Sequence, residues 1–147
     1  MRGESSYSLQ EALQSDADVL AGLRERAMRP SLEAVGRYDP LRVRTRFLDG
    51  FNPKATFKIL IEGRLAGFYV LLTKSDHLYL DHLYIDPEFQ SFQLGGQLIE
   101  KIKHQAKEVN LPLRLQALKQ SRANGFYVKH GFVKTHETEF DLHYELK

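Results

Sequence analysis

The sequence predicts an α+β fold in a single domain, residues 1–147, with a mixed, mostly antiparallel sheet of about seven strands flanked by about four helices. Three observations predict it. Between residues 56 and 85 three apolar, partly alternating segments follow one another across short turns, which is the pattern of a β-meander. From Leu94 onward apolar residues recur at helical spacing. The second half holds two strand–helix–strand passages, which imply a parallel pair inside the antiparallel sheet.

A first strand is expected near residues 7–9. Ser15 then opens a helix, with Asp18 three residues on as a variant capping box and Val19, Leu20, Leu23 and Ala27 on its apolar side. Pro30 is expected to end that helix at about Arg29, because the residue before a proline avoids the helical region. A short helical turn at 31–35 follows. Asp39 and Pro40 read as N-cap and first residue of a second helix marked by Leu41, Phe47, Leu48 and Phe51. The meander runs through 56–62, a tight turn at Glu62-Gly63, and 64–74, where Gly67 suggests a bulge. It then turns at Ser75-Asp76 and ends with 77–85. Leu94, Leu98, Ile102, Ala106 and Val109 form one stripe of an amphipathic helix whose opposite face is Gln97, Lys101, His104 and Lys107. Asn110 and Pro112 stop it. A strand at 113–117, a helix at 121–130 capped by Gly131, and strands at 133–140 and 142–146 complete the order.

Composition excludes several classes. A net charge of +2 is too small to imply nucleic acid as a partner. The absence of cysteine removes disulfides, thiolate metal sites and a cysteine nucleophile. No apolar run approaches the length of a membrane span, and Met1-Arg2-Gly3-Glu4-Ser5-Ser6 has no apolar core of a signal peptide, so a cytoplasmic protein is expected. The six histidines have no metal-ligand spacing, and no metal is expected. A P-loop is absent, which argues against nucleotide hydrolysis.

The segment 86–99 carries the clearest chemistry. An apolar strand passes through a short loop, Gln90-Ser91-Phe92-Gln93-Leu94-Gly95-Gly96-Gln97, into the amphipathic helix. A helix begins with backbone N–H groups that have no intrahelical acceptor, backed by the positive end of the helix dipole. With two glycines at the junction, such a terminus accepts phosphate without a basic side chain.

The sequence resembles the Gcn5-related N-acetyltransferase (GNAT) family on three segments. Leu80 through Gly95 is similar to the family's acetyl-CoA motif, a strand followed by Gln/Arg-x-x-Gly-x-Gly/Ala. Ala123-Asn124-Gly125-Phe126-Tyr127-Val128-Lys129-His130-Gly131-Phe132 resembles the second signature, A-x-x-F-Y-x-x-x-G-F. Gly63-Arg64-Leu65-Ala66-Gly67-Phe68 is similar to the usual third strand. The chain departs from the family at three positions. Gln93 stands where the first loop glycine is expected, and its Cβ restricts φ. Gln120 aligns with a common asparagine, and Gln116, which cannot serve as a base, aligns with a glutamate that some members carry.

The resemblance implies acetyl transfer from acetyl-CoA, as cosubstrate, to an amine of a small molecule or peptide. It implies that backbone groups of Leu83, Tyr84 and Ile85 pair with pantetheine, one N–H serving as oxyanion donor. The loop Gln90, Ser91, Phe92, Gln93, Leu94, Gly95, Gly96 and Gln97, with Gln120, would contact the cofactor. Tyr127 aligns with the tyrosine that protonates the leaving sulfur and that also lies against the cofactor. A phenol with a reference pKa of about 10 is protonated at neutral pH and can donate to a thiolate. For the base, His82, Asp81 and a water chain ending at a backbone carbonyl stay open. His82 and Asp81 point to opposite strand faces, so only one can face the acceptor. Seven arginines between positions 24 and 46 make an acidic acceptor one option and a solvated, salt-bridged face the other. Beside the transferase stand a catalytically impaired module that holds CoA or nothing and serves binding or interaction, and a subunit whose terminal strands pair in a homodimer.

Overall fold

The computed structural model describes residues 7–147, and of Ser91 and Phe92 the backbone alone. The first six residues, read above as lacking a leader, lie outside the described residues. The elements are β1 Ser8–Glu11, α1 Ala17–Ala34, α2 Pro40–Asp49, β2 Thr56–Ile61, β3 Arg64–Thr73, β4 Leu78–Ile85, α3 Leu94–Glu108, β5 Leu113–Leu118, α4 Ala123–Lys129, β6 Val133–Glu137 and β7 Asp141–Leu146. The strands form a seven-stranded sheet in the order β1-β2-β3-β4-β5-β7-β6, with β4 and β5 parallel. Among the described residues no helix is long and apolar enough to cross a membrane. The chain divides into two compact units, one built up to Val70 and from His82–Gly95, the other from Leu71–Asp81 and Gly96–Lys147.

In the first unit, α1 differs from the sequence expectation at both ends. A 3-10 turn at Gln14–Asp16 precedes it, with the Asp16 carboxylate accepting the Leu13 N–H at 2.8 Å in place of a cap at Ser15. That N–H and, less strongly, Lys58 hold the Asp16 carboxyl below its usual range. Pro30 sits inside the helix instead of ending it. An interior proline removes one hydrogen bond and costs about 3 kcal/mol, so other contacts must hold the last turn. Arg29 and Glu33 pair across it at 3.0 Å, and the Arg29 guanidinium lies 4.9 Å from the Tyr38 ring. The Tyr38 hydroxyl donates to Glu25 at 2.7 Å, and Leu32 is buried. The expected turn at 31–35 is thus the end of α1, closed by Gly36 at φ 69 and the Arg37 N–H on the Leu32 carbonyl.

The second helix begins as its sequence indicates: the Asp39 side chain accepts the Arg42 N–H, and Pro40 is the first helical residue. Val43 and Phe47 are its buried residues, while Leu41 is exposed. Glu62 and Gly63, at φ 50 and φ 78, form the mirror-image turn that matches strand twist between β2 and β3. The register slips beside Gly67: Ile59 faces Gly67 and Leu60 faces Leu65, leaving Ala66 as the bulged residue. Ile59, Phe68, Leu20 and Leu23 have no exposed surface and belong to this unit's core. Phe47 meets Phe68 edge-on at 5.3 Å, and Phe57 stacks on Tyr69 at 5.2 Å.

In the second unit Leu98, Ile99, Ile102 and Leu113 are fully buried, each such side chain stabilising by roughly 1.5–3 kcal/mol. Val109, expected on the same stripe, is exposed because α3 has already ended: Asn110 is left-handed at φ 59, and the Leu111 N–H returns to the Ala106 carbonyl. β4 pairs with β5 from Leu78↔Leu113 to Leu80↔Leu115. Gly131, at φ 95, closes α4, with the Phe132 N–H on the Tyr127 carbonyl. β6 stops at Glu137, three residues early, because the Thr138 N–H turns back to the Asp141 carbonyl.

Gly67 allows the tightest approach in the first unit. A Cβ there would lie 2.4 Å from the Tyr84 carbonyl oxygen and 3.2 Å from Ile85 Cα, both backbone atoms that cannot swing away. Gly67→Ala is therefore expected to lower stability by about 1–3 kcal/mol, read as a lower denaturant midpoint with an unchanged slope. A midpoint equal to the parent's would show that β3 and β4 do not depend on this approach.

Candidate active site

The strand that carries the candidate residues has its backbone directions fixed by Gly67. The Tyr84 carbonyl lies against Gly67, and the Asp86 N–H donates to the Ala66 carbonyl at 2.8 Å. Backbone groups of successive residues in a strand point to alternate edges, so those of Leu83 and Ile85 face away from β3. The Ile85 carbonyl accepts the Gln90 side-chain amide at 3.1 Å. Gln90, expected at the cofactor, therefore also braces the end of β4.

On its side-chain face β4 places His82 and Tyr84 together. The His82 Nδ1 is 3.3 Å from the Tyr84 hydroxyl, which donates to Met28 Sδ at 3.4 Å. Phe47 meets the His82 ring edge-on at 5.5 Å, and Phe68 lies 6.4 Å from it. His82 is half-buried in this aromatic surround, whereas Asp81 is exposed.

The segment after β4 is anchored before it reaches α3. Asp86 accepts the Glu88 N–H, and its other oxygen pairs with Arg26 at 2.8 Å. Arg64 pairs with Glu88 and lies 5.0 Å from the Phe89 ring, which is buried. Pro87–Phe92 forms a 3-10 helix ending at Gln93, which is left-handed at φ 59, ψ 26. Leu94, Gly95, Gly96 and Gln97 are the first turn of α3, which holds no acidic residue. Their N–H groups are those that an α-helix leaves without an intrahelical acceptor. The Gln97 Nε2 is buried and has no hydrogen-bond partner.

In the second unit Tyr127 is buried, with ring neighbours Phe126 at 5.3 Å, Phe132 at 5.6 Å and Tyr144 at 6.3 Å. The turn leading into α4 is held by Asn124, whose Nδ2 reaches the carbonyls of Leu118 at 2.8 Å, Ser121 at 3.0 Å and Lys119 at 3.2 Å. Its Oδ1 accepts the Tyr144 hydroxyl at 2.9 Å. The sequence reading missed Asn124 and looked to Gln120, which is exposed in that turn. Gln116 accepts the Tyr79 hydroxyl at 3.1 Å. Burial, followed by Asp81 and Asp141, raises the Tyr79 pKa to about 12, so this donor keeps its proton. His130, read as a surface residue, packs its Cε1–Nε2 edge 3.8 Å from where a Cβ on Gly96 would be. Its Nδ1 is 2.8 Å from Glu100. His130 and then Lys103 hold the Glu100 carboxyl below its usual range.

Gln93 pays for a conformation that glycine adopts freely. A side chain in the left-handed region costs about 1–2 kcal/mol, and glycine's extra freedom in the unfolded chain returns part of that. Gln93→Gly is expected to raise stability by about 0.5–1 kcal/mol and Tm by about 1–4 °C. A Tm at or below the parent's would mean that the turn carries no strain.

Solved structures share this architecture. PaiA N-acetyltransferase from Thermoplasma acidophilum, in complex with coenzyme A, aligns with a TM-score of 0.79 at 18% identity, over 97% of this chain and 99% of that one. Apo-form YjaB from Escherichia coli aligns at 0.75 and 21% identity, over 95% and 96%. The ribosomal-protein-S18-alanine N-acetyltransferase from Escherichia coli aligns at 0.71 and 16% identity, over 96% and 93%. Likeness at these identities is a likeness of fold. No curated protein sequence matches the chain significantly. Residues 34–143 match the acetyltransferase (GNAT) domain family, and by that match, across most of its length, the chain belongs to the GNAT family.

Proposed function

We propose that the protein is an acetyl-CoA-dependent N-acetyltransferase that acetylates a primary amine of a small molecule or peptide by direct attack in a ternary complex. The observation that carries this reading is the entry to α3. Gln93 adopts the left-handed turn that the family's glycine would supply, and Gly95 and Gly96 follow it in the first helical turn. The residue type departs from the family, yet the backbone takes up a conformation that glycine adopts freely.

The donor set fits a pyrophosphate. It consists of the N–H groups of the first turn of α3 and the buried, unpartnered Nε2 of Gln97, with no acid in that turn to repel an anion. Bound acetyl-CoA would supply an activated thioester, and the chain's own residues would do the rest. Residues 90–97 would hold the phosphates. The edges of Leu83 and Ile85 that face away from β3 would align the pantetheine arm, with one N–H receiving the developing oxyanion. Tyr84, whose carbonyl is turned toward Gly67, would contribute its hydroxyl beside His82. Losing one oxyanion donor typically costs about 10²–10³ in rate. Tyr127 would give its phenolic proton to the departing sulfur. The amine must lose a proton, and His82 is our choice of acceptor, directly or through water; an imidazole with a reference pKa of about 6.5 suits this role. Asp81 and a water chain remain the other routes. Gln120, exposed, would act only at the periphery of the cofactor.

Calorimetry with acetyl-CoA, followed by thiol release over a panel of amines, tests the reading. Saturable binding with amine-dependent release is expected; binding without release for any amine would favour the CoA-holding module. Gly95→Asp places a negative charge among the phosphate donors and is expected to weaken acetyl-CoA binding by about tenfold or more. Unaltered affinity would remove residues 90–97 from the site. Tyr127→Phe is expected to lower kcat by about 10²-fold with little change in KM for acetyl-CoA, and an unchanged kcat would remove Tyr127 from the chemistry.

A further inference from the structure

The arginines of α1 and α2 are not equivalent. Arg26 meets Asp86 at 2.8 Å, Arg29 meets Glu33 at 3.0 Å, and Arg44 lies 4.0 Å from Glu25. Arg24 meets no carboxylate among the described residues. Its Nη1 donates to the Val43 carbonyl at 2.6 Å, and its guanidinium lies 6.0 Å from the centre of the Tyr84 ring. Its Nε is buried with no hydrogen-bond partner. The adjacent acid, Glu25, is already taken by the Tyr38 hydroxyl and Arg44.

A half-buried guanidinium without a counterion, and with a buried donor left empty, is unfavourable. Such a group is retained at lowest cost where a ligand supplies the missing acceptor. The planar guanidinium offers two edges that match a carboxylate. Here the Nη1 corner is committed to Val43, so the edge left over is the one formed by the buried Nε and by Nη2, through which a carboxylate would approach. That edge belongs to the group lying over Tyr84, whose hydroxyl is 3.3 Å from His82 Nδ1. An anionic group on Arg24 would therefore sit one aromatic ring from the residue proposed to take the amine's proton.

We infer that Arg24 binds a carboxylate of the acceptor, and that the acceptor is an amine carrying a carboxylate in the same molecule: an amino acid, or a peptide with an acidic group near its reacting amine. The inference rests on the acetyl-transfer reading above. It also separates Arg24 from Arg26, Arg29 and Arg44, whose carboxylate partners lie within the chain, and from Arg42 and Arg46, which are exposed.

The test compares matched amines in the thiol-release assay: a free amino acid, its amide, the corresponding decarboxylated amine, and a peptide with and without an acidic residue beside its amino terminus. The wild-type protein is expected to favour the carboxylate-bearing member of a pair by about 10- to 100-fold in kcat/KM, mostly through KM. The pair that shows the preference tells free amino acid from peptide. Arg24→Gln is expected to bring the ratio close to one, and Arg24→Lys, which keeps the charge without the fork, to restore part of it. Calorimetric binding of the N-acetylated carboxylate product, lost in Arg24→Gln, gives a readout apart from turnover. Equal use of amide and acid by the wild-type protein, or a ratio unaltered in Arg24→Gln, would overturn the inference and leave acetyl transfer standing. The wild-type comparison decides even if a variant fails to fold. Acetyl-CoA binding with no release for any amine would overturn the transferase reading, and this inference with it.

Discussion

The close approach of Gly67 to the Tyr84 carbonyl is the constraint on which the first unit's chemistry depends. No residue with a Cβ fits there without moving backbone, since the nearest atom would be 2.4 Å away. Because that carbonyl points at β3, strand alternation sends the backbone groups of Leu83 and Ile85 to the opposite edge. The same register puts His82 and Tyr84 on one face, with Phe68 5.7 Å from the Tyr84 ring and Phe47 edge-on to His82. The bulge at Ala66 lets one strand satisfy both requirements, because the extra residue is absorbed beside the glycine. One missing Cβ thus orients two sets of groups: backbone donors on one edge, an imidazole and a phenol on one face.

The phosphate site proposed in the loop that follows makes a second demand, which is electrostatic. An anion site at a helix N-terminus is spoiled by nearby carboxylates, and this segment has two, Asp86 and Glu88. Each is paired, with Arg26 and Arg64. Those arginine side chains are 54% and 64% exposed, so each pair adds only about 0–1 kcal/mol to stability. Their effect is on the local field and on loop geometry: they cancel two negative charges and fix the segment before the turn at Gln93. Gln93 then adopts a left-handed turn at the expense of side-chain strain.

The sequence announced these features unevenly, for physical reasons. Asp39-Pro40, Glu62-Gly63, Gly67 and Gly131 act through local backbone chemistry, and their roles were legible in the order of residues. Pro30 misled because its cost is offset by contacts of Arg29, Glu33, Tyr38 and Leu32 that involve packing beyond the proline itself. The strand–loop–helix junction into α3 was legible because it is also local. Asn124 was not, because its value lies in reaching four groups at once, and no spacing rule encodes that. The pairing of His130 with Glu100 was hidden for the same reason, since the two are 30 residues apart.

Arginine shows most clearly what a list of residues omits. Counted along the chain, seven arginines between positions 24 and 46 indicate a basic face, and a net charge of +2 dilutes even that. Placed in the fold, Arg26, Arg29 and Arg44 are compensated within the chain, and their charges carry no information about a ligand. Arg24 differs in being half-buried with one donor committed, one donor empty and no carboxylate partner among the described residues. Exposed ion pairs are nearly neutral energetically, whereas an uncompensated, half-buried cation is costly. That asymmetry makes the half-buried, unpaired Arg24, and not the cluster, the ground for inferring an acidic acceptor. Its position over Tyr84 ties it to His82, so one residue bears both on what the acceptor carries and on where its amine would lie.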